Sequence, residues 1–291
     1  MFKNKKIQEL FCSQELNPDK FITKLATSAL IDSTSISYRH KTESLDRCFY
    51  HDQYHPRMIR VDFSKGKEKG VCLIGKGILY DSGGYNIKSD ASDMHNDKFG
   101  ALTALLIGKV LKLPVQVFFA VNLINSKAIL PGEIIQYRTK QVRDVNTDAE
   151  GRLGLASCIE DCQEYKTLIT FATLTGHSVY SIGEGHAEVF SQDLKKLSKI
   201  LLKNNKSLGI GRIFEDYSKC LYKNKLLENS NSEYREAGAA KAYLFLHEFL
   251  QKSQQLHHFD IAGFMSNQYT DYTYGIEDLS NACKILINKN K

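Results

Sequence analysis

Three largely apolar runs constrain the fold of this chain more than any other feature. They read GVCLIG at 70–75, VQVFFAVNLI at 115–124 and TLITFATL at 167–174. Runs of this length without alternating polar residues are typical of strands that are buried on both faces. Helical patterns at 99–113 and 150–165 separate them. This alternation predicts an α/β fold with a mixed, largely parallel central sheet and helices on both faces.

The other periodic segments complete the same pattern. Further strands are predicted at 58–63 and 259–263, and further helices at 17–30, at 237–252 and from about 276 onward. Only four prolines occur in 291 residues, and neither a repeat nor a low-complexity linker interrupts the chain. We therefore expect one domain that spans residues 1–291.

Composition narrows the classes of protein that need to be considered. The formal net charge of +6 is spread along the chain, which favours a solvated surface over a nucleic-acid site. The N-terminus lacks the apolar region of a secretory signal, and no run approaches the roughly 18 apolar residues of a membrane span. Seven scattered cysteines without C-x-x-C spacing argue against a disulfide framework or a thiolate zinc site. A cytoplasmic protein without nucleic-acid or membrane partners is predicted.

Four acidic residues lie in connections between apolar elements. They are Asp81, Asp97, Asp148 and Glu150. In open α/β sheets, sites form outside the carboxyl ends of the strands, and these connections fall there. Carboxylate oxygens are ligands for hard divalent cations and for zinc, and a pair of metal ions needs several of them. The acids are therefore candidates for a metal site.

Each acid also has a local interpretation. Thr147 and Glu150 match the T-x-x-E capping box of a helix. Asp81, followed by Ser-Gly-Gly, suits a turn, and Asp97 suits the first turn of the next helix. The residue pattern by itself leaves these alternatives open.

Two lysines accompany the acids. Lys76 directly follows a predicted strand and Lys88 lies twelve residues later, although most lysines are simply exposed. The GKG sequence also suggests a phosphate-binding loop. However, Gly77 follows Lys76 where that motif requires Ser or Thr, so nucleotide binding is discounted.

Two long stretches resemble the motifs of a known family. GKGILYDSGGYNIK at 75–88 and NTDAEGR at 146–152 are similar to the two motifs of the leucine aminopeptidase family, the dinuclear-metal exopeptidases. The first is closest in form to the peptidase B branch. The resemblance continues through 172–176, 237–250 and 258–263, and covers about residues 5 to 285. It implies the zinc-exopeptidase-like catalytic domain of that family.

The resemblance implies a role for each matching residue. Five match metal ligands: Lys76, Asp81, Asp97, Asp148 and Glu150, with Asp81 and Glu150 shared by two ions. Lys88 and Arg152 match the catalytic pair, and Met94, Thr175 and Gly176 match the first side-chain pocket. As a ligand, Lys76 must be neutral, and two adjacent dications favour loss of its proton.

The implied function is hydrolysis of the N-terminal residue from short peptides by a water that two metal ions activate. The ions are zinc, manganese or magnesium, bicarbonate binds at Arg152, and the assembly is a homo-oligomer, in this family a hexamer. The alternative is a catalytically impaired member that serves as an oligomeric scaffold or binding protein.

Three departures from the family pattern bear on that alternative. Phe99 stands where a glycine is expected, and the loop between Lys88 and Met94 is about two residues shorter than usual. Only 75 residues precede Lys76, so the separate N-terminal domain of the family is expected to be absent. Phe99 must find space that a close glycine contact normally fills, which favours the scaffold alternative slightly.

Overall fold

A mixed sheet of nine strands forms the centre of the computed structural model, which describes residues 4–39, 42–67, 70–214, 216–230, 236–265 and 275–289. A second, smaller sheet of four strands lies beside it. In chain order, the strands are β1 Ile36–Tyr38, β2 Arg57–Asp62, β3 Val71–Gly75, β4 Ile78–Asp81, β5 Pro114–Asn122, β6 Ile134–Gln136, β7 Gln141–Arg143, β8 Thr167–Ala172, β9 Ala187–Ser191, β10 Leu208–Ile210, β11 Tyr222–Lys223, β12 Leu226–Glu228 and β13 Gln255–Asp260.

Ten α-helices are assigned in these described ranges. They are α1 Lys5–Phe11, α2 Pro18–Thr27, α3 Glu43–Cys48, α4 Phe99–Leu111, α5 Gly151–Glu160, α6 Gly176–Ile182, α7 Leu194–Asn204, α8 Asp216–Lys219, α9 Gly238–His247 and α10 Ile276–Lys289. None of the helices in the described part of the chain is both long and apolar enough to cross a bilayer.

The main sheet has the order β1-β2-β5-β3-β8-β13-β9-β10, with β4 paired to β5. Its central strands β5, β3, β8 and β13 are parallel. The pairs β1–β2, β2–β5 and β9–β13 are antiparallel. The predicted mixed, largely parallel sheet is therefore confirmed.

Burial on both faces explains why β5 reads as one apolar run. All nine of its residues are buried. Val117 and Phe119 join one core with Leu102 of α4, whereas Phe118 joins the second core with Leu153 of α5. Successive side chains of a strand point to opposite faces, so a strand covered by helices on both sides needs mostly apolar residues.

The predicted helix at 17–30 forms, although it is shorter at its C-terminal end. Asn17 caps α2, because its side-chain oxygen accepts hydrogen bonds from the backbone N–H groups of Asp19 and Lys20. The helix ends at Thr27, and Ala29 then adopts a left-handed conformation with φ of 60°. The chain thereby turns Leu30 into the core.

Candidate metal centre

Parallel strand pairing brings the predicted site residues to one edge of the main sheet. Gly75, the last residue of β3, lies opposite Phe171 of β8. The next residue, Lys76, donates its backbone N–H to the Phe171 carbonyl at 3.1 Å. Asp81 ends β4, and Thr173 directly follows β8. The carboxyl ends of these strands thus converge, as expected for a site in an open α/β sheet.

The side chain of Lys76 is buried among acids instead of being exposed. Its Nζ lies 2.7 Å from Asp97 Oδ2 and 3.2 Å from Glu150 Oε1, and it donates to the Thr173 carbonyl at 3.0 Å. Burial lowers the pKa of Lys76, but the negative charges of Asp97 and Glu150 outweigh burial and raise it above its usual value. The interpretation of Lys76 as an ordinary surface lysine is wrong.

A missing side chain makes room for this lysine. A Cβ added at Gly151 would lie 2.5 Å from Cε of Lys76, well inside van der Waals contact. Gly151 is the first residue of α5, so the helix begins directly against the buried lysine. The glycine of NTDAEGR therefore leaves the space that the Lys76 side chain occupies beside Glu150, and a larger residue there would displace the lysine.

Lys88 joins two further acids at the same centre. Its Nζ lies 2.9 Å from Asp81 Oδ2 and also contacts Asp148. Burial lowers the pKa of Lys88, but the nearby carboxylates, with Asp81 first among them, raise it above its usual value. The other oxygen of Asp81 accepts hydrogen bonds from the Gly83 N–H at 2.9 Å and from Asn122 Nδ2 at 2.7 Å. These contacts hold the Asp81 carboxylate in one orientation.

Three carboxylates are crowded closely enough to hold a metal ion. Asp81, Asp97 and Glu150 are buried, and each offers an oxygen within 4.8 Å of the others. Burial, and then the charge of Asp81, raises the pKa of Glu150 to about 8. Burial likewise raises the pKa of Asp97 to about 6. Buried anions at this spacing repel one another unless a cation lies between them.

One oxygen of Glu150 supports this interpretation independently. Glu150 Oε2 is buried without a hydrogen-bond partner. A buried carboxylate oxygen without a partner is costly in free energy, so it needs an ion or a proton. With Asp148 and the amine of Lys76 close by, the donor set is four carboxylates and one nitrogen, which suits zinc, manganese or magnesium. The residues present therefore fit a divalent metal centre.

The structure decides between the local interpretations of the acids. Thr147 does not form a capping box with Glu150, because its hydroxyl donates to the Gly83 carbonyl at 2.7 Å. Glu150 is the residue before α5, yet its side chain makes no capping hydrogen bond. The capping interpretation is therefore wrong for Glu150. Asp81 does stabilise its own turn through the Gly83 N–H, in addition to facing the acid cluster.

Asp97 does not lie in the first turn of the following helix, as its local interpretation required. Helix α4 begins at Phe99 after an N-cap at Lys98. The Asp97 carboxylate instead accepts a hydrogen bond of 2.6 Å from the Thr173 hydroxyl and contacts Lys76. Its side chain therefore belongs to the cluster at the strand ends.

Arg152 is the second residue of α5, two positions after Glu150, and its side chain is half-buried. Its Nη1 donates to the Asn229 carbonyl at 2.8 Å, while its Nε has no hydrogen-bond partner. Burial lowers the pKa of Arg152 to about 10, so the guanidinium remains charged at neutral pH. An unpaired buried N–H on a cation is suited to bind a small anion.

The three residues predicted to line the substrate pocket occupy different surroundings. Met94 is half-buried and begins a short 3-10 turn that leads into Asp97. Thr175 is buried, and its hydroxyl donates to Asp260 Oδ2 at 2.7 Å. Gly176 is exposed at the start of α6, with open space beside its Cα. The Thr175 hydroxyl is thus engaged within the protein, whereas Gly176 faces an open volume.

Sequence reasoning missed two residues that contact the cluster directly. Thr173 bonds both Asp97 and Lys76, and Asn122 bonds Asp81. Both are polar residues at the end of a fully buried strand, β8 and β5 respectively. A polar residue at that position was a usable signal, because the carboxyl ends of parallel strands are where sites form.

Phe99 is accommodated without disturbing the centre. Its ring is buried and packs edge-on against Phe11 of α1, with ring centroids 4.8 Å apart. The close glycine contact is made by Gly100, where an added Cβ would lie 2.4 Å from the Phe171 carbonyl oxygen. Since the chain keeps Gly100, the substitution at Phe99 gives no support to an impaired site.

A comparison of the sequence with protein families identifies one matching family. The model of the cytosol aminopeptidase family, catalytic domain, matches residues 51–281, which include every predicted site residue. The chain belongs to the cytosol aminopeptidase family. The resemblance seen in the two motifs is thereby confirmed.

This chain aligns with part of the length of individual cytosol aminopeptidases. It is 34% identical over 240 residues to a probable cytosol aminopeptidase of Prochlorococcus marinus (strain MIT 9211), covering 76% of this chain and 48% of the relative. It is 34% identical over 217 residues to the cytosol aminopeptidase of Rattus norvegicus, covering 69% and 42%. The chain thus spans about half the length of the curated relatives it matches.

A solved structure of a leucyl aminopeptidase shares the fold. The leucyl aminopeptidase from Leishmania major, determined in complex with actinonin, aligns with a TM-score of 0.79 at 19% sequence identity. The alignment covers 95% of this chain and 60% of that chain. At this identity, the likeness establishes the α/β architecture.

The raised pKa of Glu150 predicts how pH affects the metal-free protein. Between its ordinary value of 4.5 and about 8, the folded state holds a proton on Glu150 that the unfolded state has released. As the pH rises through this range, the free energy of unfolding of the metal-free wild type should therefore decrease relative to that of Glu150→Gln. Urea unfolding at several pH values, with a chelator present, measures the difference. Parallel curves for the two proteins would contradict the assignment.

Proposed function

We propose that this protein is a metal-dependent aminopeptidase that removes the N-terminal residue from short peptides. The observation that carries the proposal is the buried cluster of Asp81, Asp97 and Glu150, in which Glu150 Oε2 has no hydrogen-bond partner. Membership of the cytosol aminopeptidase family supports the same activity. Lys76, Asp81, Asp97, Asp148 and Glu150 would hold two divalent ions, with Asp81 and Glu150 shared between them.

When bound, the ions supply a binding point for the substrate amine, a water activated near neutral pH and a Lewis acid for the scissile carbonyl. The remaining chemistry falls to residues of this chain. Lys88, whose Nζ lies 2.9 Å from Asp81 Oδ2 at the edge of the cluster, would donate a hydrogen bond to the oxygen that becomes negative during amide hydrolysis. Asn122 and the Gly83 N–H would keep Asp81 oriented when Lys88 binds the substrate oxygen.

Arg152 is proposed to hold bicarbonate as the proton acceptor of the reaction. Its buried, unpartnered Nε and its positive charge support an anion at this position. Nearby, burial and then the charge of Arg152 lower the pKa of His258 to about 3, so this histidine remains neutral and does not compete for the anion. Arg152 would thus place a weak base beside the metal centre without being a ligand itself.

The remaining proposals concern the substrate pocket, the cell and the assembly. We assign Met94, Thr175 and Gly176 to the pocket for the first side chain of the peptide. The names of the relatives support a cytoplasmic location. A homo-oligomer, specifically a hexamer, and a single catalytic domain over residues 1–291 complete the proposal. Both cores pack on the same main sheet, which supports one domain.

Blocking the substrate amine tests the proposed activity. The protein loaded with Mn²⁺ should cleave a free dipeptide, and its N-acetylated form should react slower by about 10²-fold or more, because acetylation removes the amine that binds in the site. Cleavage should rise from about pH 6 to an optimum of roughly 8 to 10 as the amine and the attacking water lose protons. Rates are measured by chromatography of the released amino acid.

Two results would contradict the proposal in different ways. Equal rates on the free and acetylated peptides would indicate an endopeptidase or another hydrolase. Cleavage of neither, by a protein with two ions bound, would favour the scaffold alternative. The packing of Phe99 against Phe11 gives that alternative no structural support.

A further inference from the structure

Asn229 is a fully buried residue that lies beside the NTDAEGR segment although it is distant in sequence. It directly follows β12, which pairs in parallel with β7 so that Glu228 lies opposite Arg143. The backbone N–H of Asn229 continues this pairing by donating to the Arg143 carbonyl at 3.2 Å. The side chain, 0% exposed, is therefore held next to the loop that leads from Arg143 to α5.

Both ends of the Asn229 carboxamide, its nitrogen and its oxygen, form hydrogen bonds with the 144–149 loop. Its Nδ2 donates to Asp144 Oδ1 at 2.8 Å and to the Asn146 carbonyl at 2.9 Å, with the Ala149 carbonyl at 3.4 Å. Its Oδ1 accepts from the Val145 N–H at 2.9 Å. An amide has both donors and an acceptor, so this environment defines which way its side chain points.

The same residue also positions the catalytic arginine. The backbone carbonyl of Asn229 accepts the hydrogen bond of 2.8 Å from Arg152 Nη1. The side chain of Asn229 donates to the Asn146 carbonyl, and the Asn146 side-chain oxygen accepts a hydrogen bond of 3.0 Å from the Asp148 N–H. Contacts from Asn229 therefore reach Asp148 through one intermediate residue and reach Arg152 directly.

We infer that Asn229 is a positioning residue that sets the geometry of the 144–149 loop and thereby of the ligands Asp148 and Glu150. The inference rests on the proposed function, since it assigns these acids to metal. Residues that orient metal ligands through hydrogen bonds typically change metal affinity when they are replaced. Asn229 itself would touch neither metal nor substrate.

Titration of the protein with Mn²⁺ in a calorimeter tests this role. Asn229→Ala removes all the side-chain bonds to the loop and should weaken Mn²⁺ binding about 10- to 100-fold. Asn205→Ala is the matched control, because Asn205 is equally buried and its Nδ2 donates to Leu201 at the end of α7. The control should bind Mn²⁺ like the wild type even if its melting temperature falls as far as that of Asn229→Ala.

A reciprocal exchange separates positioning from a general loss of packing. Asn229→Asp keeps the shape but places a carboxylate oxygen against Asp144 and two carbonyls, so it should weaken Mn²⁺ binding more than alanine does. The double variant Asp144→Asn with Asn229→Asp restores one donor–acceptor pair and should recover part of the affinity. Asn229→Ser, which keeps one hydroxyl donor, provides the comparison if the alanine variant does not fold.

The outcomes distinguish this inference from the proposed function. Unchanged Mn²⁺ affinity in a folded Asn229 variant would overturn the positioning role, as would failure of every Asn229 variant to fold or an equal loss in Asn205→Ala. A wild type that binds no Mn²⁺ would overturn both proposals. A wild type that binds two ions but cleaves no peptide would overturn only the aminopeptidase activity, and the affinity measurements would still decide the role of Asn229.

Discussion

Replacing Lys88 with alanine is expected to lower kcat by about 10²- to 10³-fold, the effect of losing one hydrogen-bond donor to a developing oxyanion. In the structure, Lys88 Nζ contacts the carboxylates of Asp81 and Asp148 at the edge of the cluster. Lys88 is assigned as a donor and not as a ligand, so the variant should retain both metal ions. Steady-state kinetics on an aminoacyl-amide, with elemental analysis of the same sample, measures both quantities.

Lys109→Ala is the matched control for this experiment. Lys109 is likewise a lysine whose Nζ is engaged within the protein, where it donates to the backbone carbonyls of Ala29 and Leu30. It lies near the end of α4, away from the strand ends that form the site. Its replacement should leave kcat unchanged. If Lys88→Ala instead loses its metal, Lys88 is a ligand or a structural residue, and its assignment as an oxyanion donor is wrong.

Glu150→Gln is expected to have the larger effect on the metals themselves. The amide retains the shape of the side chain but removes the negative charge that both ions are proposed to share. Calorimetric titration with Mn²⁺ should show loss of at least one tight site, and kcat/KM should fall by about 10³-fold or more. A bound metal ion contributes several kcal/mol of transition-state stabilisation, and each tenfold in rate corresponds to 1.36 kcal/mol.

Glu160→Gln provides the comparison within the same helix. Glu160 is as buried as Glu150 and lies at the opposite end of α5, where it accepts hydrogen bonds from the backbone of Arg138 and Thr139. This variant should lose stability and keep both ions. Two tight Mn²⁺ sites in Glu150→Gln would show that this carboxylate is not a shared ligand.

Much of the fold was predictable because its central strands are buried on both faces. Strand β8 appears in the sequence as a run of apolar residues, and every one of its residues is buried. Strand β9 was missed, since AEVFS at 187–191 is short and contains the charged Glu188. The antiparallel pairing of β9 with β13 could not be predicted either, because strand order depends on contacts between distant segments.

The sequence by itself determined the family and the residues of the candidate centre. The two motifs contain the charged residues, and these residues lie in the connections that follow the predicted strands. Only the tertiary structure decided what each charge does. The sequence also allowed Glu150 to cap α5, whereas in the structure the Thr147 hydroxyl donates to the Gly83 carbonyl and Glu150 makes no capping hydrogen bond. The ring of Phe99 packs against Phe11, and Arg152 donates a hydrogen bond to the carbonyl of Asn229, 77 residues away. Such contacts join segments that are far apart in the chain, so the residues around any one of them carry no periodicity or spacing from which the partner can be read.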